Sequence, residues 1–310
     1  PQAVVAALKT RPSESMPMDI LQAGVSLLAN HDPEASSQTK EAAERKAVRL
    51  IAKFPVLLGA WGRIRQGLEP VEPAADLDHG ANFLYMLSGE RPAEDAARYM
   101  DVALVLHAEH SFNASTFTAR QVASTRAHMY ASVSAAVGSL SGDLHGGANV
   151  EVIRMLGRIH EGGVSPEECV AMAKDKSSDF RLFGFGHRVY RNYDPRAKVL
   201  REACDKVLPK LNVSDPLLDI ARKLEELALE DSYFVDRKLY PNVDFYSGII
   251  LRAMGIPTNM FTVCFAIGRL PGWIAQWKEQ HEDATSRILR PRQIYIGQTK
   301  TDYVPLEDRT

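Results

Sequence analysis

The sequence predicts an all-α protein, and three observations predict it. Apolar residues recur at the three-to-four-residue spacing of a buried helix face along most of the 310 residues. Helix punctuation is explicit: Ser165-Pro166-Glu167-Glu168, Asp194-Pro195 and Ser214-Asp215-Pro216 each place a capping side chain before a proline suited to the first helical position. No strand-rich region is visible, nor any repeat with a period of roughly 20–50 residues, so strands are expected at the margins at most.

Taken in order, a helical pattern begins almost at once after Pro1. Pro17 to Asn30 carries Ile20, Leu21, Gly24, Leu27 and Leu28 on one face. Lys40 to Trp61 repeats the pattern with Val48, Ile51, Leu58 and Trp61, and Pro55 is expected to kink or split it. Gly80 to Leu87 reads as a short helix ended by Ser88-Gly89. Pro92 to His110 follows, with Met100, Ala103, Leu104 and His107 toward the core. Ser111 to Gly142 is crowded with Ala, Ser, Thr and Gly, which suits a closely packed helix pair within one subunit or across a dimer; Arg120, Arg126 and His128 argue against a membrane setting. Asn149 to His160 stops at Gly162-Gly163, and helices open at Ser165, Asp194 and Ser214, the last with a stripe of Leu217, Ile220, Ala221, Leu224 and Leu227. Asp244 to Met254 ends at Gly255, and Pro257 opens a long helix through Gln280 bearing Trp273 and Trp277. A short extended stretch is expected in the tail from Ile288.

Composition is that of an ordinary globular chain, 45% hydrophobic and 25% charged. A net charge of -2 gives no reason to expect nucleic acid or an acidic membrane as partner. No apolar run approaches the roughly 20 residues that span a bilayer. Three widely spaced cysteines, Cys169, Cys204 and Cys264, read as reduced thiols in a cytoplasmic setting rather than a disulfide frame or zinc site. The start at Pro1, without a signal peptide, looks like a cut inside a longer protein.

The chemistry is concentrated in three segments. GDLHGG (142–147), GFGHRVYRNYDPR (184–196) and PNVDFYSG (241–248) each set one ionisable side chain at a loop or helix start: His145, His187 and Asp244. Two imidazoles and a carboxylate suit a reaction that takes a proton from carbon and gives one to a carbonyl oxygen. Glycines beside His145 and His187 let backbone approach a ligand closely. The helix expected just after His145 disfavours imidazolium and leaves a neutral donor. Arg196, in a first helical turn, joins free N–H groups as a carboxylate receptor. Asp244 is expected to cap its helix, held in place and ionised. Each feature alone also fits a turn, a solvated loop or a structural cap. Arg269 interrupts an apolar helix and must be paired or bind an anion. His107, Glu109 and His110 match no zinc template, so no metal is expected.

Together the segments Ser139–Val152, Phe183–Ala197 and Tyr240–Pro257, with His107–Thr116 and Arg287–Gly297, resemble the citrate synthase family, in order and over essentially the whole chain, and the bacterial citrate synthases more than the methylcitrate enzymes. The resemblance implies a large domain (1–146 and 259–310) and a small domain (147–258) that closes over the site. It implies condensation of acetyl-CoA with oxaloacetate and hydrolysis of citryl-CoA to citrate and CoA, the first step of the tricarboxylic acid cycle, with acetyl-CoA a substrate and no bound cofactor. By motif match Asp244 is the base, His145 the donor to the thioester oxygen, and His187 the group that polarises the oxaloacetate carbonyl and protonates the alkoxide. His110, Arg196 and Arg269 match oxaloacetate-binding positions, and Arg290 matches an arginine that reaches the partner's site in a homodimer. A higher oligomer such as a hexamer stays open. Arg188, Arg237 and Lys238 are candidates for the CoA phosphates. The family's further N-terminal segment is absent from this stretch, as is the domain some bacterial enzymes use for NADH control, so NADH inhibition is not expected. Met16-Pro17-Met18 stands where many relatives have His-Pro-Met and is assigned no role. The competing readings are a 2-methylcitrate synthase acting on propionyl-CoA, and a non-catalytic helical assembly protein.

Overall fold

The computed structural model describes residues 2–187, 189–190, 192–209 and 215–309. Among them there is no strand, only an isolated antiparallel bridge between Phe185 and Pro241. The helices are α1 (Gln2–Leu8), α2 (Pro17–Asn30), α3 (Lys40–Ile64), α4 (His79–Ser88), α5 (Glu94–His107), α6 (Ala114–Ala123), α7 (Met129–Leu140), α8 (Ala148–Gly162), α9 (Pro166–Lys174), α10 (Pro195–Val207), α11 (Pro216–Glu230), α12 (Ser232–Asp236), α13 (Val243–Ala253) and α14 (Phe261–Glu282). No helix is long and apolar enough to cross a membrane among the described residues.

Local chemistry explains most boundaries. Ser165 and Glu168 form the expected capping box at α9, and Gly89 and Gly163 end α4 and α8 in left-handed conformation. Ser214 lies outside the described residues, but Asp215 caps α11. Several boundaries differ from expectation. Pro55 does not split α3: its ring is accepted inside one continuous helix of 25 residues. The helix after Pro92 ends at His107, not His110, because Ser111 takes a positive φ of 53° and turns the chain toward α6. Pro257 opens a 3-10 turn, Thr258–Met260, before α14 proper. Among the described residues the tail beyond α14 forms no strand and has one 3-10 turn, at Leu306–Asp308.

Val48 corrects a core assignment: it is 69% exposed, whereas Lys46, on the opposite side of the same turn, is fully buried. The Lys46 ammonium crosses to the loop before α3 and donates to the carbonyls of Ala35 and Ser37, at 3.2 and 2.5 Å. A buried charge is tolerable only with such partners.

The helices pack in two groups. In one, α2, α3, α5, α6 and α7 surround α14 and α4 packs outside them on α3 and α5, with Trp61, Trp273 and Trp277 fully buried. The small-residue segment is a helix pair within one chain, α6 against α7, and α7 also packs on α2. In the other group α11 packs on α8, α9, α12 and α13, and α13 packs on α8 and α10. Where α10 meets α5 and α8 meets α14, the groups join, and the ionisable side chains singled out above gather at that junction.

Candidate active site

Gly184 and Gly186 both sit at φ 81°, backbone that a side chain would strain. A Cβ on Gly184 would also press into Phe245 and Val152, 2.9 Å away. The turn lays the His187 segment beside the approach to α13. Gly186 N donates to Tyr240 O at 2.7 Å and Asn242 N to Gly184 O at 2.8 Å. The Asn242 amide Nδ2 donates to Gly186 O at 2.9 Å. Its Oδ1 accepts from Asp244 N at 3.0 Å, so Asn242 caps α13. This corrects the reading of Asp244 as the cap: Asp244 is the second helical residue and its carboxyl caps nothing. It keeps a partly accessible edge, yet burial pushes its pKa up to about 6, against the pull of Arg196 and Arg269.

The His187 ring has its tautomer set by main chain. Val189 N and Tyr190 N both donate to Nδ1, at 3.0 and 3.1 Å, which leaves the proton on Nε2. Burial, then the Arg196 charge, holds its pKa below the usual value. His110 stands edge-on to it, ring centroids 5.0 Å apart, and burial followed by Arg196 pushes His110 down to about 4.

His145 is fixed from the other group. Its loop passes so close to α7 that a Cβ on Gly146 would overlap the Leu140 carbonyl oxygen, and Thr262 Oγ1 donates to Gly146 O at 3.0 Å. His145 Nε2 accepts from Ser115 N at 3.1 Å, so the proton sits on Nδ1. Ser115 Oγ lies 2.8 Å from the same nitrogen and is held by Trp273 Nε1 at 3.1 Å and Asn113 Oδ1 at 2.8 Å. Burial, then Arg269, lowers its pKa. The neutral donor is as expected; the helix end that fixes it is the start of α6, not that of α8.

Two arginines complete the cluster. Close contact between α14 and α5, where Gly268 and Gly272 face the Leu104 and Ala108 carbonyls, buries Arg269 to 1% exposure. Its Nε donates to His107 O at 2.6 Å, Nη1 has no partner, and burial followed by Arg196 lowers its pKa to about 10. His107 donates Nδ1–H to Ala103 O at 2.7 Å, leaving a buried, unpartnered Nε2. Arg196 forks onto Asp194, with bonds of 3.1 and 3.0 Å. Its backbone N–H, expected to be free for a ligand, is taken by the same carboxylate at 2.9 Å. Asp194 accepts from Val243 N as well, at 3.0 Å. Burial would raise this carboxyl, but the Arg196 bonds and charge outweigh it and hold it below the usual range.

The fold thus brings together His110, His145, His187, Asp244, Arg196 and Arg269. Arg290 is exposed in the tail, and among the described residues no hydrogen bond or ion pair joins it to them. Arg237 lies over the Tyr233 ring at 4.0 Å and Lys238 takes φ 58°; neither reaches the cluster. Arg188 lies outside the described residues. Sequence reasoning missed Asn242, Ser115 and the bridging role of Asp194; Asp194-Pro195 was legible only as a helix start. A cavity of ≈ 500 Å³ lies beside the His187 segment rather than at the imidazoles, lined by Arg158, Arg181, Phe180 and Phe183 among others. Among the described residues no group of three or more His, Cys, Asp or Glu could hold a metal ion.

Two imidazoles aimed by their backbone partners, one buried carboxyl and two clustered guanidinium groups give this all-α protein a site whose groups can carry acid–base chemistry. The comparisons give the class its family. The family model described as "Citrate synthase, C-terminal domain" matches residues 1–292. The chain is 45% identical to citrate synthase 1 of Mycobacterium tuberculosis and to citrate synthase of Corynebacterium glutamicum, in each case over 96% of this chain and 70% of the relative. Among solved structures it resembles citrate synthase from Pyrobaculum aerophilum, with TM-score 0.90 and 41% identity over 100% of this chain and 78% of the other. The citrate synthase of Thermoplasma acidophilum, solved as a ternary complex with carboxymethyl coenzyme A and oxaloacetate, gives TM-score 0.88 at 30% identity over 100% and 80%. The chain belongs to the citrate synthase family, and is therefore a transferase that makes citrate.

Proposed function

We propose that the chain condenses acetyl-CoA with oxaloacetate and hydrolyses citryl-CoA to citrate and CoA. The observation that carries this is the pair of opposed tautomers, His145 with its free proton on Nδ1 and His187 with its free proton on Nε2, together with an Asp244 carboxyl that burial holds above its usual pKa. A thioester methyl is a very weak acid. Asp244 takes its proton while His145 Nδ1–H stabilises the enolate oxygen, each contribution worth roughly 10²–10⁴-fold. The nucleophilic carbon then attacks the ketone carbon of oxaloacetate, whose oxygen is polarised by His187 Nε2–H and protonated as the C–C bond forms. Arg196, Arg269 and His110 hold the dianion; the unpartnered Arg269 Nη1 is a donor waiting for such an oxygen. Water then cleaves the citryl thioester, and CoA leaves as the thiol. Arg237 and Lys238, just ahead of the Tyr240–Asn242 strip that leads into α13, are the candidates for the CoA phosphates.

We further propose that the two helix groups are domains, 1–146 with 259–310 and 147–258, that shut on the substrates and expel water. The working unit is a homodimer in which Arg290 serves the partner's site. Supporting it, the tail exposes Ile294, Tyr295 and Ile296, at 89%, 73% and 94%, a strip that calls for cover.

The test follows free-thiol release with oxaloacetate present, comparing acetyl-CoA with propionyl-CoA. Fast release from acetyl-CoA and slow release from propionyl-CoA is expected. The reverse preference would make it a methylcitrate-forming enzyme; one methylene is worth only about 1–3 kcal/mol to a pocket, so both rates must be measured. No release from either with folded protein would overturn the proposal.

A further inference from the structure

Behind the site, on α11, lies a carboxylate that the mechanism does not use. Glu225 is 1% exposed. Its two oxygens collect three groups from three different elements. Tyr193, in the segment between His187 and Arg196, donates its hydroxyl to Oε1 at 2.5 Å. Tyr246 on α13, two residues after Asp244, donates to Oε2. Arg201 on α10 pairs with Oε2 at 3.1 Å. Burial, then the bond to Glu225, pushes both tyrosine pKa values up, so both hydroxyls stay donors at any working pH.

The placement matters more than the count. Tyr193 adjoins Asp194, whose carboxylate holds Arg196. Tyr246 is fully buried, and its anchored hydroxyl fixes the rotation of α13 about its axis, and with it the heading of Asp244. One side chain therefore holds both the oxaloacetate clamp and the base from the rear. We infer that Glu225 is a positioning residue that sets where Asp244 stands relative to the bound oxaloacetate. The inference rests on the proposed condensation. Reacting groups displaced by about 1 Å lose on the order of 10²-fold in rate, so a carboxylate that touches no substrate can still govern turnover.

The experiment compares Glu225→Gln, Tyr193→Phe and Tyr246→Phe with the wild type, each with melting temperature, kcat and the KM for oxaloacetate. Gln keeps the shape but cannot accept from both hydroxyls and pair with Arg201. Glu225→Gln is expected to lower kcat about tenfold or more and to raise the oxaloacetate KM, in line with that sensitivity to position. The phenylalanine variants are expected to separate the two effects: Tyr193→Phe raises KM with kcat largely kept, and Tyr246→Phe lowers kcat with KM largely kept. If Glu225→Gln does not fold, the phenylalanine variants, each lacking one hydroxyl, decide the matter. Variants that melt earlier but keep both constants within about twofold of wild type would show a purely structural carboxylate and overturn the inference. Absence of thiol release in the wild type would sink the proposed reaction instead, so the two failures are distinct.

Discussion

At Asp244 stability and chemistry pull in opposite directions. Its folded pKa of about 6 lies above the usual carboxylate value, so folding favours the protonated form. The associated stability is fully present below the unfolded pKa near 4 and is lost as pH rises through 6. The proposed role as base needs the other form, the carboxylate. Turnover should therefore rise with pH along a limb whose midpoint is near 6. Asp244→Asn should be inactive at every pH and, at pH 7.5, more stable than wild type by about 2–3 kcal/mol, a gain that vanishes below pH 4. Denaturant melts at the two pH values check the second claim, and an equal stability at both would show that the carboxyl is not desolvated as described. His110 and His107, each held near 4, remain neutral across that limb and add nothing to it. The members of the candidate site were partly legible in sequence: His145, His187 and Asp244 announce themselves by glycines and helix starts. Asn242 and Ser115 did not, because Ser115 acts through a bond to His145, 30 positions away, and Asn242, besides capping α13, binds Gly186, 56 positions away.

Among elements, the approach of α14 to α5 carries the most consequence for the site. A Cβ at position 272 would overlap the Ala108 carbonyl oxygen, which is backbone and cannot swing away. Gly272→Ala should cost about 1–3 kcal/mol and, by pushing α14 outward, draw Arg269 off the His107 carbonyl and raise the oxaloacetate KM. A lower melting temperature with unchanged KM would show that Arg269 is held by something else. The same scale shows why helices were easy to read and one face was not. Caps are local, so Ser165, Asp194 and Asp215 mark their helices without reference to the rest of the chain. The buried face of α3 is set by what packs on it, and there a lysine with two carbonyl partners displaced the apolar Val48 from the core. The short helix α12 left no sequence signal, since five residues are too few to show a period.

For the whole molecule, the proposed homodimer makes a direct prediction about the exposed tail and Arg290. If Arg290 serves the opposite subunit, Arg290→Ala and Asp244→Ala chains are each inactive alone, yet a hybrid carries one intact site. Random mixing makes half the dimers hybrids, so roughly a quarter of wild-type activity should return. Mixing denatured, differently tagged chains and refolding them together measures it; no recovery would place Arg290 in its own subunit's chemistry or in none.

The three bonds that lace residues 184–186 to residues 240–242 also govern how such a chain can diverge. They join main chain to main chain, apart from one amide, and so depend on spacing rather than on which side chains are present. A residue inserted in either strip would put every bond beyond it out of step and move His187 away from Asp244. Apart from Gly184, Gly186 and Asn242, lineages can therefore exchange letters there, but they can lengthen or shorten only in stretches free of such lacing, the turn after Gly163 or the open tail among them.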